Sequence, residues 1–265
     1  MSVGRVARSI GRLVGLVLLA GVSLQLYFLL RIALMTVVDP SSTSFQRSEA
    51  WRLLVEHQSL AWRQSWRSYA AISPQLKRAV IASEDAGFAD HSGVEWDALE
   101  KAWERNQKAE ARAERLNEQL ARRAASLPAR AAAPPAPPQK TTPKIVGGST
   151  ITQQLAKNLF LGPERSLARK GQEFVVTLML EALLGKQRIL EIYLNHVEWG
   201  EGVFGAEAAA QHYFRVDAGR LGSVQAARLA VMLPAPKRFE RRPDSAYVQG
   251  RASTIVARMG AVELP

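Results

Sequence analysis

The longest apolar run of the chain lies near its start. From Leu13 to Leu30 the only strongly polar residue is Gln25, and such a run is close to the length a helix needs to cross a bilayer. The pattern predicts a tail over 1–12, a transmembrane helix over 13–37 and a polar, Ser-rich linker over 38–50. A cleaved signal peptide is the alternative, but the run is long for one and no A-x-A site follows it. Apolar positions then recur at helical spacing from about Trp51 to Tyr69. They recur again from Ser73-Pro74 through Leu76, Ala79, Val80 and Ile81 to Glu84. Residues 95–130 are rich in Ala, Arg and Glu, with little beyond Leu116, Leu120 and Leu127 to bury, which predicts a solvated helix. The prolines between Pro128 and Pro138 forbid helix and favour extended chain, so a flexible insertion is expected at about 107–143. Helical patterns resume over 150–161, 165–184, 187–195, 206–214 and 222–233, with a glycine-rich turn at Gly200, Gly202 and Gly205. Strand patterns are scarce. The chain reads as mainly α: one domain over 51–240 behind a single N-terminal anchor, with 241–265 as a C-terminal segment.

Composition narrows the partners. The 265 residues carry a formal net charge of +11, which calls for an anionic partner: nucleic acid, lipid headgroups or a phosphorylated substrate. No RNP-type motif, zinc-finger spacing or basic zipper is present, so nucleic acid is set aside. The absence of cysteine rules out disulfides and thiolate metal sites and is compatible with either side of a membrane. Arg5, Arg8 and Arg12 precede the apolar run and place the N-terminus in the cytoplasm, with the remainder outside. Arg63 and Arg67, interleaved with Trp51, Trp62, Trp66 and Tyr69, suit a segment along the headgroups or a plain helix with buried aromatics.

Three clusters carry candidate chemistry. Gly147-Gly148-Ser149-Thr150-Ile151-Thr152-Gln153-Gln154 opens a helix through a capping box between Thr150 and Gln153, with Ser149 as the competing cap. Thr150, Gln154 and Lys157 then share one face, and a helix start beside a cation favours an anion; a capped surface helix with a solvated lysine fits the spacing equally. Glu84 and Asp85 end an apolar helix, followed by Phe88, His91 and Gly93. A carboxylate held rigidly and partly desolvated gains proton affinity, which suits a general base. Glu84 is the candidate; the plainer reading has Asp85 and His91 bracing a turn. Arg165, Arg169 and Glu173 follow at i, i+4, i+8 with Lys170 alongside, so Glu173 is expected to stay ionised and to orient substrate rather than donate a proton.

Together these segments resemble the peptidoglycan glycosyltransferase family, the domain shared with bifunctional penicillin-binding proteins. The pattern E-D-x-x-F-x-x-H-x-G is met by Glu84, Asp85, Phe88, His91 and Gly93, and G-G-S-T-I-T-Q-Q by residues 147–154, continued by Lys157 and Asn158. R-K-x-x-E is met by Arg169, Lys170 and Glu173; Arg188 to Asn195 looks like the family's next block, followed by Gly200 to Tyr213. Two departures stand out: Ala86 replaces the arginine usual after the Glu-Asp pair, and the insertion lies where the family has a short connection.

The resemblance implies a lysozyme-like α fold and, as substrates, lipid II and the growing glycan strand. It implies Glu84 and Glu173 as catalytic residues. Asp85, Phe88, His91, Thr150, Gln154, Lys157, Asn158, Arg165, Arg169 and Lys170 would bind substrate. It places the enzyme on the bacterial inner membrane with its catalytic domain in the periplasm, and names other cell-wall synthesis proteins as candidate partners. No cofactor is required by the sequence, although a divalent cation, Mg or Mn, at the pyrophosphate fits the chemistry. No S-x-x-K transpeptidase motif occurs in the sequence, which implies a monofunctional enzyme. A membrane-anchored lytic muramidase and a non-catalytic membrane scaffold remain as alternatives.

Overall fold

The computed structural model describes residues 3–125, 148–162, 164 and 166–265. These fall into two compact units, one of residues 1–94 with 150–265 and the other of residues 95–149. The second unit contains one long helix, Trp96–Ala125. Charged residues pair along it at i, i+4, Glu104 with Lys108 and Glu118 with Arg122, while Ala113 is buried. The segment 107–125 of the expected insertion is thus continuous helix; 126–143, with its prolines, lies outside the described residues.

The first unit is helical, with one small sheet. Its elements are α1 (Val3–Leu34), α2 (Ser44–His57), β1 (Arg63–Gln64) and α3 (Pro74–Glu84), then, with the long helix of the second unit counted as α4, α5 (Ile151–Phe160), α6 (Leu167–Leu183), α7 (Lys186–His196), β2 (Glu198–Gly200), β3 (Val203–Phe204), α8 (Ala206–Phe214), α9 (Ser223–Met232), α10 (Pro236–Phe239) and α11 (Ala246–Met259). The mainly α expectation holds. In α1, the stretch Ser9–Leu34 is long and apolar enough to cross a membrane, and little of it is buried. What it does bury follows the helical repeat: Phe28 and Ile32 face the domain, continued by Met35 just past the helix end, and Phe28 meets Phe160 edge-on, with ring centroids 5.1 Å apart.

The core is built where apolar stripes meet. Helices α3, α9 and α11 pack together and α5 packs on α6 and α7, burying Leu76, Ala79, Val80, Ile151, Leu155, Leu190, Leu229 and Ile255. Strand β3 sits between β1 and β2, parallel to β1 and antiparallel to β2. Gly202, at φ +70°, makes this junction: a Cβ there would lie 1.9 Å from the Ala61 carbonyl oxygen.

The structure departs from the sequence pattern between 38 and 71. Instead of a linker to residue 50 and a helix from Trp51 to Tyr69, α2 starts at Ser44, where Thr43 and Gln46 form a reciprocal capping box. It stops at Gln58, which adopts the left-handed conformation (φ 50°). The chain then turns extended so that Trp62 stacks on Phe204 at 4.4 Å and Arg67 pairs with Glu207 at 3.0 Å. Of the aromatics expected along headgroups, Trp62 and Trp66 pack on the domain, while Trp51 stays exposed.

Candidate active site

The site begins where α3 ends. Ser73 caps this helix by accepting from the Gln75 N–H, and Pro74 occupies its first turn, both favoured at a helix start. The buried Leu76, Val80 and Ile81 fix its axis, so Glu84 and Asp85 are presented from a rigid element. Their fates then diverge. Asp85, 4% exposed, accepts from His91 Nε2 at 2.8 Å through one oxygen and from the Ile151 N–H at 2.9 Å through the other. His91 in turn accepts at Nδ1 from the Gly93 N–H, which fixes its neutral tautomer with the proton on Nε2 when it donates to Asp85. Gly93 takes φ +88°, and its carbonyl receives the Thr150 hydroxyl at 2.6 Å.

These contacts join the end of α3 to the start of α5. Thr150 caps α5, with Gln153 closing the box, and the Ile151 N–H, an orphan donor of the first turn, is taken by Asp85. The expected anion site at this helix start is thus occupied by the protein's own carboxylate. Phe88 has no exposed surface and Thr150 only 3%. Asp85, Phe88 and Thr150, expected to bind substrate, are buried and brace the two helices; His91 joins them as the plainer reading of its turn foresaw. Replacing Asp85 with Ala strands two donors in this seam, which costs about 1–3 kcal/mol. Thermal melting of Asp85→Ala in detergent checks this, and a midpoint equal to that of the parent would refute the brace.

Glu84, by contrast, is half-buried and receives the Gln154 side-chain amide at 3.0 Å. Gln154 accepts from the Tyr193 hydroxyl at 2.9 Å. Burial raises the Glu84 pKa above the ordinary carboxylate value, the adjacent Asp85 charge adds to this, and hydrogen bonds from Gln154 and Ser83 oppose it. Tyr193, on α7, is buried and its hydroxyl is held well above its usual pKa, first by burial, so it remains a neutral donor. Sequence reasoning singled out its helix block but not this residue.

One turn beyond Gln154, Lys157 and Asn158 enter a cleft of about 390 Å³. Arg169 lines it from α6, and Ser44, Phe45, Ser48 and Glu49 line it from α2. Desolvation within the cleft lowers the Lys157 pKa; the Glu173 charge opposes this, and Arg169 and Lys170 reinforce it. Glu173, 3% exposed, accepts from Arg169 at 3.0 Å and from Lys170, so it fixes Arg169 at the cleft. The cap of α6 is Ser166 and the helix begins at Leu167, later than the pattern suggested; Arg165 lies outside the described residues, as does Gly147. The contribution of α2 escaped the sequence reading, although the T-x-x-Q box at Thr43 and Gln46 was its signal.

The model of the Transglycosylase family matches this chain over residues 53–136 and 129–260. The chain is 49% identical over 246 residues to a Biosynthetic peptidoglycan transglycosylase of Burkholderia thailandensis, covering 93% of this chain and 84% of that protein. It is 51% identical over 265 residues to the protein of the same name in Cupriavidus pinatubonensis, covering 97% and 92%. The chain belongs to the transglycosylase family. In this family member the two matched segments overlap over residues 129–136; the buried seam falls within them, whereas the α2 residues of the cleft, Ser44 to Glu49, precede them. The relatives' span also extends beyond the family domain, since a further one, from Paraburkholderia phytofirmans, is 48% identical over 94% of this chain.

Proposed function

We propose that the chain polymerises lipid II into the glycan strands of peptidoglycan by inverting glycosyl transfer, releasing undecaprenyl pyrophosphate. The observation that carries this reading is the pairing of a carboxylate of raised proton affinity, Glu84, with a helix that takes Lys157 into a cationic cleft one turn further on. Glu84 removes the proton from the 4-hydroxyl of the acceptor GlcNAc. That oxygen attacks the anomeric carbon of the growing chain's MurNAc from the face opposite the pyrophosphate, converting α to β linkage. Lys157 and Arg169 stabilise the charge that develops on the departing pyrophosphate, with Arg165 assigned to the same group from its motif; no strong general acid is needed for such a leaving group. Glu173 holds Arg169 and Lys170, and Gln154 aims Glu84.

Among the described residues the cleft offers cations, an amide and hydroxyls, and its one carboxylate, Glu49, is paired with Arg52 and Lys237. This donor set suits phosphate oxygens rather than a divalent ion.

The membrane anchor is α1. With Arg5, Arg8 and Arg12 inside by the positive-inside rule, the catalytic unit lies on the periplasmic side of the inner membrane, where lipid II and the growing strand meet it at the bilayer surface. A lytic muramidase would need a protonated acid beside a second carboxylate in an apolar site; Glu173 between Arg169 and Lys170 does not supply it. Purified protein incubated with labelled lipid II in vesicles is expected to yield glycan polymer. Shortening of preformed glycan without any growth would overturn the reading.

A further inference from the structure

The one strongly polar residue inside the apolar run has a partner. Gln25 Nε2 donates to Gln172 Oε1 at 2.8 Å, and Gln172 Nε2 donates back to Gln25 Oε1 at 3.0 Å. Two amides closed on each other satisfy one donor and one acceptor apiece, which is how a polar side chain is tolerated in a hydrocarbon setting. Gln25 lies nine residues before the end of α1 at Leu34, roughly 13 Å along the helix axis, so the pair sits well below the level at which the anchor ends. The part of α6 it reaches is apolar on its open side, with Val175, Leu178 and Leu183 exposed, as a face at membrane depth requires.

A second fastening lies above. Arg188 on α7 donates to the Met35 carbonyl at 2.8 Å and to that of Val38 at 3.2 Å, and pairs with Asp39 at 2.7 Å. Two fixed points about ten residues apart leave α1 no freedom to pivot against the domain. Alongside the lower one, α1 and Met179 of α6 frame an apolar groove of about 490 Å³, lined by α1 residues from Val17 to Leu29 with Gln25 among them. Gly21 presents no side chain there. Gln172 directly precedes Glu173, which fixes Arg169 at the cleft.

We propose that Gln25 and Gln172 form a positioning lock that holds the anchor against α6 and so keeps open the groove that seats the hydrocarbon tail of the lipid-linked substrate, in register with the cleft that takes its pyrophosphate. The occupant follows from the surroundings on either side: the groove is apolar and opens beside a membrane-crossing helix, while α6 leads from it to the cationic cleft, so a molecule with a long apolar chain and an anionic head meets both. The proposal rests on the function proposed above, and its test separates the two.

The test compares the full-length protein with Gln25→Leu, Gln172→Leu and the double variant, each assayed in vesicles with undecaprenyl-linked substrate and with an analogue carrying a short prenyl chain. Each single variant is expected to raise KM for the long-chain substrate about fivefold more than for the short-chain one, the effect of losing one buried polar contact in a membrane, with kcat changed less than twofold. The double variant buries no stranded amide, so it guards against misfolding, and it is expected to match the single variants rather than multiply them. Equal KM changes for both tail lengths, no change, or a fall in kcat alone would each overturn the lock. Wild-type protein inactive on both substrates would instead overturn the proposed function.

Discussion

Replacing Glu84 with Gln is expected to lower the rate of glycan polymerisation roughly a hundred- to ten-thousand-fold, the usual contribution of a positioned general base, while the fold is kept. The amide fills the same space and can still bond to Gln154, since the 3.0 Å contact needs only an oxygen on residue 84. What it cannot do is accept the proton of the acceptor hydroxyl. The pH dependence sharpens this. A base works when deprotonated, so the rate falls as pH drops through the Glu84 pKa, and burial places that limb above the ordinary carboxylate range. Glu84→Gln removes the limb, leaving a low, flat rate on the acidic side. Removing the Tyr193 hydroxyl by Tyr193→Phe loosens Gln154 without touching Glu84, and so should shift the limb without abolishing it. Polymer growth by Glu84→Gln at the parental rate would exclude Glu84 as the base.

Much of this site was legible because local chemistry and tertiary use agree. Thr150 and Gln153 form the capping box their spacing predicts, and α5, α7, α8 and α9 begin within a residue or two of where apolar periodicity placed them. The anchor was plain from Leu13 onward. Other features were hidden because they depend on partners distant in sequence. Nothing local says that Asp85 spends both oxygens on His91 and Ile151, or that Gln154 lies between Glu84 and Tyr193. The segment Trp51–Tyr69 has helical spacing, yet Trp62 is needed against Phe204 and Arg63 pairs with Val203 in the sheet, so tertiary packing overrode a weak local preference. The helix Ala246–Met259 was missed for the opposite reason: it has a serine cap and a buried stripe of Val248, Ala252, Ile255 and Met259, but glycine and small polar residues dilute its periodicity. The same logic explains why motif residues divide into two classes. Those nearest the helix seam were recruited to hold it, and those one turn further along α5 reach the cleft.

That division makes Lys157 the second large effect. Lys157→Met keeps much of the aliphatic stem and removes the charge, and it is expected to reduce polymerisation on the order of a hundred- to a thousand-fold, comparable to losing one preorganised donor to a developing anion. The loss should fall mainly on kcat, because charge on the pyrophosphate grows as the glycosidic bond breaks and Arg169 still attracts the substrate's ground state. Desolvation lowers the Lys157 pKa, so the free enzyme should lose activity as pH rises through that value, when the ammonium gives up its proton. Lys157→Arg provides the diagnostic. Its guanidinium stays charged far into the alkaline range, so it should recover part of the rate and move the alkaline limb upward, even though its planar fork does not reproduce the compact ammonium. Steady-state kinetics on lipid II across the pH range measures both quantities. A limb that stays in place in Lys157→Arg would mean that another group sets it, and a Lys157→Met enzyme with parental kcat would remove this lysine from the stabilisation of the leaving pyrophosphate.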